Sequence, residues 1–244
     1  MSSLEELNNK IFQIPIKINE YNPNFDAVGI DFGTTECSAA VIRKNGAEFV
    51  VLDNLTSLRT MPSYVIYDDQ RPKCGQIAVN RLRNKSKYIV FDSKRILGRD
   101  LDEIIMDPLW PFNIREINNE VRIELANMSI VKSPEEISGA LLKHIKKCVD
   151  EFQGRNIKEV VIAIPSTFTL KQANATLRAA KLGGWENIHF IPEPVAAAFA
   201  YCTKKDIEND SKIFVFDCGG GTIRVGYLPV NLIFDSPKFS MEIT

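Results

Sequence analysis

Histidine and tryptophan are scarce in this chain of 244 residues, each occurring only twice. His144 and His189 lie far apart, which argues against a histidine-based zinc site. The five cysteines (Cys37, Cys74, Cys148, Cys202, Cys218) show no C-x-x-C spacing. Their odd number, with no secretory signal ahead of them, points to free thiols in a reducing compartment. Neither sign of charge dominates: 30 Lys and Arg stand against 31 Asp and Glu, for a net charge of -1. That balance argues against a dedicated nucleic-acid or membrane-surface protein. The one basic run, Arg81 to Lys87, has no interleaved aromatics and reads as a solvated face. No apolar run approaches the ~20 residues of a bilayer-spanning helix, so the expected location is cytoplasmic, without a membrane or nucleic-acid partner.

Against that plain background, two short segments are built alike. One is Ile30-Asp31-Phe32-Gly33-Thr34-Thr35, the other Phe216-Asp217-Cys218-Gly219-Gly220-Gly221-Thr222. Each is an apolar strand ending in an aspartate, then glycine, then threonine, then a second apolar stretch. Glycine admits positive φ and lets backbone N–H groups approach an anion closely. Two such hairpins facing each other would clamp a polyphosphate and its metal ion.

The rest of the chain alternates strands and helices, the pattern of an α/β fold. Residues 1–25, punctuated by Pro15 and Pro23, read as a flexible leader. From Val28 a meander is expected: strand, Gly-Thr-Thr turn, strand over 39–43, Asn45-Gly46 turn, strand over 48–52. Residues 60–130 are less regular, and Trp110 and Trp185 read as packing residues. Ser133, Pro134 and Glu136 open a capped helix whose inner face is Ile137, Leu141, Ile145, Cys148, Val149 and Phe152, with Gly154 at its end. His144, set among Lys143, Lys146 and Lys147, is expected on the polar face of that helix. Residues 159–165 read as a strand covered on both faces. A helix over 170–182, stopped by Gly183-Gly184, then a strand over 188–191, an alanine-rich helix over 195–202 and the second hairpin follow.

Four segments in this order resemble one family: Ile30 to Thr35, Phe91-Asp92-Ser93-Lys94-Arg95-Ile96-Leu97-Gly98-Arg99, Ile191-Pro192-Glu193-Pro194-Val195-Ala196-Ala197-Ala198, and Phe216 to Thr222. The chain looks like the nucleotide-binding domain of the seventy-kilodalton heat-shock chaperones, within the actin and sugar-kinase superfamily. The resemblance implies an incomplete actin-like ATPase (ribonuclease H-like) fold, a mixed sheet flanked by helices. It divides the chain into a first lobe over 26–206, with an inserted subdomain about 60–130, and the start of a second lobe over 207–244.

The implied function is that of an ATP-binding chaperone that assists folding through ATP hydrolysis, with ATP or ADP and Mg²⁺ as cofactors. By resemblance Gly33, Thr34, Thr35 and Gly219, Gly220, Gly221, Thr222 hold the phosphates. Asp31 and Asp217 bind the waters of Mg²⁺, Lys94 approaches the γ-phosphate, and Glu193 orients the attacking water. The implied partners are cochaperones or a full-length chaperone, with protein clients only where a substrate domain is supplied elsewhere.

The match also departs in four places. Arg224 stands where the family has an acid beside the phosphates; reversing a charge ~5 Å from a metal site shifts its energy by several kcal/mol at an effective dielectric near 20. Glu36 replaces a tyrosine, and a pairing of Arg224 with Glu36 would make nucleotide binding indifferent to exchange of potassium for sodium. Thr167 and Ala173 replace the tyrosine and arginine of the interdomain relay around Pro165, which puts that signalling in doubt. Ending at Thr244, ahead of the adenosine-binding helix, the chain is expected to turn over ATP feebly and to expose apolar sheet surface. The alternative function is therefore a degenerate, catalytically weak half-domain acting as a protein-binding or regulatory module.

Overall fold

The computed structural model describes residues 12–13, 22, 27–53, 56–205, 207–208, 211–221, 223–233 and 236–239. Pro15 and Pro23, with most of the expected leader, lie outside them, as does Thr222.

The strand Ala27–Phe32 alternates: Val28, Ile30 and Phe32 are buried, whereas Gly29 and Asp31 are open. That period of two gives the central sheet one apolar face and one functional face. Across the sheet the order is Asn187–Pro192, Glu159–Ile164, Ala27–Phe32, Glu36–Arg43, Gly46–Phe49. The first three are parallel and the last two are added antiparallel, with Thr60–Pro62 pairing on Glu36–Arg43. The sheet is thus mixed and flanked by helices, as the incomplete actin-like fold requires.

Two helices, Pro134–Gln153 and Leu170–Leu182, pack together and against the apolar face. The first begins as its sequence dictates: Ser133 Oγ accepts from the Glu136 amide at 3.1 Å, and a Glu136 carboxylate oxygen accepts from the Ser133 amide at 2.8 Å. Gly154 ends it in the left-handed conformation (φ 68°). Ile137, Leu141, Ile145, Cys148 and Val149 are buried, and Phe152 packs partly buried against the same core. Close approach of the two helices depends on Gly139, where a Cβ would lie 2.9 Å from Leu182 Cβ. Trp185 is buried and donates to the Leu142 carbonyl; Trp110 stacks on Phe112 and donates to Asp92. Both tryptophans are packing residues.

Two expectations need correction. His144 does not sit on a polar face: its Nε2 lies 2.9 Å from the Leu52 carbonyl and 3.6 Å from Cys148 Sγ. The reason is its i, i+4 spacing from Cys148, which brings it to the margin of the apolar stripe. The strand Glu159–Ile164 is fully buried on one face only; Glu159, Val161 and Ala163 are half-buried. Its second face is screened only in part, by the helix Glu193–Cys202, and that opening is where the cleft lies.

The region over 60–130 holds two small sheets and the helix Gln76–Lys85. Arg81 and Lys85 of that helix pair with the enclosed carboxylate of Asp68 at 2.6 and 2.7 Å. The second hairpin, Lys212–Cys218 with Ile223–Ile233, belongs to a separate sheet that also includes Ser236–Phe239 and Phe12–Gln13. Val195 and Ala198 join the two sheets by packing with Leu228, Ile213 and Val215.

Candidate functional site

The two glycine turns meet across a cleft of about 870 Å³. Strand alternation accounts for what enters it. Asp31 leaves the open face of its strand, and Asp217 lies at the end of the matching strand of the second hairpin, opposite Arg224 in register. Only the backbone of Arg224 is described, so its expected pairing with Glu36 lies outside the described residues; Glu36 itself is exposed and lines the cleft.

Glycine is required at both turns. A Cβ on Gly33 would fall 2.2 Å from the Glu36 carbonyl oxygen, and one on Gly220 would fall 1.5 Å from Thr35 Oγ1. A Cβ on Gly221 would come within 3.1 Å of Thr34 Oγ1. The first turn is further fixed by Ser63, whose hydroxyl donates to the Gly33 carbonyl at 2.8 Å and whose amide donates to the Thr35 carbonyl at 2.8 Å. Cys37 also approaches Ser63 at 3.3 Å; burial pushes its thiol up to about 11, so it stays a neutral packing group.

Lys94 enters from the short helix Ser93–Ile96 and Glu193 from the first turn of Glu193–Cys202. Lys94 Nζ donates to Glu193 Oε1 at 2.7 Å, and the two side chains are only 8% and 18% exposed. A buried ion pair of that kind is held by its geometry, because each charge alone would be costly to desolvate. Asp31 has its carboxyl raised above the usual range, chiefly by desolvation and further by Glu193 and Asp217, with Lys94 opposing. One ammonium and three carboxylates are therefore coupled in one place.

The cleft gathers Asp31, Gly33, Thr34, Thr35, Lys94, Glu193, Asp217, Gly219, Gly220 and Gly221 from segments far apart in sequence. Thr222 is the one expected site residue outside the described residues. Pro165 lines the same cleft, while Ala173 is buried in the neighbouring helix. Sequence reasoning gave no role to Ser63, Phe168, Gln172 or Arg99, the last three of which also line the cleft. Only Arg99 carried a sequence signal, since it closes the segment that contains Lys94.

The donor set suits a hydrated hard cation. Among the described residues no three His, Cys, Asp or Glu side chains form a direct metal cage. Two carboxylates beside a glycine cradle would instead hold Mg²⁺ through its waters, with phosphate oxygens filling the remaining positions. The cradle fits phosphate because its backbone can be approached without a Cβ in the way.

The sequence profile of the family described as Hsp70 protein matches residues 27–232. The chain belongs to the Hsp70 family. It is similar to a heat shock cognate HSP70 protein of Trypanosoma brucei brucei, 32% identical over 212 residues, covering 84% of this chain and 31% of that protein. It is 32% identical over 209 residues to a heat shock 70 kDa protein of Neurospora crassa, covering 84% of this chain and 32% of that one. A chaperone protein DnaK of Prochlorococcus marinus is 35% identical over 205 residues, with 83% of this chain and 32% of that protein covered. The chain thus spans about a third of the length of these curated Hsp70 relatives. No helix among the described residues is long and apolar enough to cross a membrane.

Proposed function

We propose that this Hsp70 chain binds ATP with Mg²⁺ in the cleft between its two glycine turns and serves as the nucleotide-binding part of a chaperone. The observation that carries the reading is the buried Lys94–Glu193 pair beside Asp31 and Asp217, at the meeting point of two glycine cradles. The backbone amides of Gly33 to Thr35 and Gly219 to Gly221, with the hydroxyls of Thr34 and Thr35, hold the β- and γ-phosphates. Asp31 and Asp217 orient the waters of the cation. Bound magnesium would neutralise charge on the phosphates and hold them in one geometry.

On phosphate entry, Lys94 exchanges part of its contact with Glu193 for the γ-phosphate oxygens, where negative charge develops. Glu193, freed from full pairing, accepts a hydrogen bond from a water and aims it at phosphorus. The rear wall, with half-buried Ala163 and buried Pro165 and Phe168, limits bulk water around these groups. Client folding, cochaperone partners and a cytoplasmic location follow from the family as parts of the same proposal, as do the first-lobe boundary at 26–206 and the second-lobe start at 207.

A second reading, a protein-binding half-domain with weak catalysis, is favoured by a specific surface. Phe214, Phe216, Ile223 and Val225 form one apolar face of the second hairpin, 59% to 70% exposed. Thermal unfolding with and without millimolar Mg-ATP separates the readings. A ligand at ~100 times its dissociation constant stabilises by about 2.7 kcal/mol, a readily seen shift. A transition that ignores nucleotide refutes the first reading. Where ATP turnover is measurable, Lys94→Ala must abolish it.

A further inference from the structure

Among the described residues the cleft is lined by five carboxylates and three cations, Lys94, Arg95 and Arg99, and the cations differ in what already holds them. Lys94 is tied to Glu193 at 2.7 Å. Arg95 pairs with Asp92 at 3.1 Å and with Asp107 at 3.3 Å, and lies over the Trp110 ring. The Arg99 guanidinium has no hydrogen bond, ion pair or ring contact among the described residues, although it is half-buried. It is the cation that can receive an anion without first giving up a partner.

Its backbone is also held firmly. Gly98 takes φ 69° and is wedged against the start of the helix Leu170–Leu182: a Cβ there would lie 2.5 Å from Gln172 Cα and 2.9 Å from the Lys171 carbonyl oxygen. On the other side Asp100 pairs with Lys171 and forms a reciprocal capping box with Glu103. The Arg99 amide donates to the Ile96 carbonyl at 3.2 Å. An unpaired guanidinium on a doubly anchored turn, lining a cleft whose other described cations are already paired, is a preorganised anion receiver, and its planar fork matches two phosphate oxygens.

Resting on the nucleotide reading, we infer that Arg99 forms an outer phosphate subsite, the first contact for a phosphate group entering or leaving the cleft. Lys94 takes the inner position only after its pairing with Glu193 loosens. Two sources present this chemistry: the terminal phosphate of ATP, and inorganic phosphate released beside ADP.

The test compares the wild-type chain with Arg99→Gln and Arg99→Lys by equilibrium titration with Mg-ATP, with Mg-ADP, and with inorganic phosphate in the presence of Mg-ADP. Arg99→Gln should weaken Mg-ATP or inorganic phosphate about tenfold and leave Mg-ADP unchanged, with Arg99→Lys intermediate, since it keeps the charge and loses the fork. A loss confined to Mg-ATP assigns the subsite to the nucleotide, and one confined to inorganic phosphate assigns it to the product; either supports it. Indifference of all three ligands, or equal weakening of Mg-ATP and Mg-ADP, overturns it. Both variants should melt as the wild type does, because the side chain holds nothing in place. A wild-type chain that binds neither nucleotide would instead refute the nucleotide reading, and this inference with it.

Discussion

Lys94→Met removes the ammonium while keeping most of the side chain's length, and its consequence follows from the geometry of the cleft. At 2.7 Å the attraction between Lys94 and Glu193 is about 6 kcal/mol at an effective dielectric near 20. Desolvation of two side chains only 8% and 18% exposed offsets much of that, so the pair contributes far less to net stability. Losing one partner is the costly event, because Glu193, Asp31 and Asp217 then face each other with no ammonium among them. Lys94→Met should therefore cost about 3 kcal/mol in unfolding free energy, the low end for a broken buried pair. The double variant Lys94→Met/Glu193→Gln should cost clearly less than the two single changes summed, with a coupling of about 2 kcal/mol. Urea unfolding at pH 7 of the four proteins measures this, and repeating it in high salt should change little, since buried pairs are weakly screened. Single costs that add to the double within about 0.5 kcal/mol would refute the reasoning.

Three further outcomes are expected. Asp31 has a raised carboxyl in the folded chain, so the native state binds more protons than the unfolded state just above the usual aspartate range. Stability is thus lost as pH rises from the unfolded value through the folded one; Asp31→Asn should raise the melting temperature at pH 7 and not below pH 3.8, while abolishing Mg-ATP binding. Equal melting temperatures at pH 7 would count against the coupled cleft. Gly220→Ala places a methyl 1.5 Å from Thr35 Oγ1, so the turns must part and nucleotide affinity should fall at least tenfold with near wild-type melting. Ser133→Ala removes the 3.1 Å cap bond and should cost about 1 kcal/mol in urea unfolding without altering nucleotide affinity.

Much of this protein was written locally. Alternation in 27–32, the capping box from Ser133 to Glu136 and the glycine stop after Leu182 are short-range instructions, and the chain follows them because each is satisfied within one turn or one strand. The paired glycine turns were legible as a candidate phosphate site from residue type and spacing, whereas Lys94 and Glu193 became candidates only through the resemblance of their segments to a known family. What lies between distant segments was not legible. The 2.7 Å pairing of Lys94 with Glu193 spans 99 residues, and the clamp of Ser63 on Gly33 spans 30. His144 looked polar among its lysines until the fold placed the Leu52 carbonyl beside it. Arg99 closed the segment that carries Lys94 but had no role of its own until the other cations lining the cleft among the described residues, Lys94 and Arg95, proved to be paired. Sequence alone marked the glycine turns and their aspartates as candidates for phosphate chemistry, because backbone preference and charge are local properties. Tertiary structure decided which charges are already neutralised and which remain available, because that depends on partners the chain brings together only on folding.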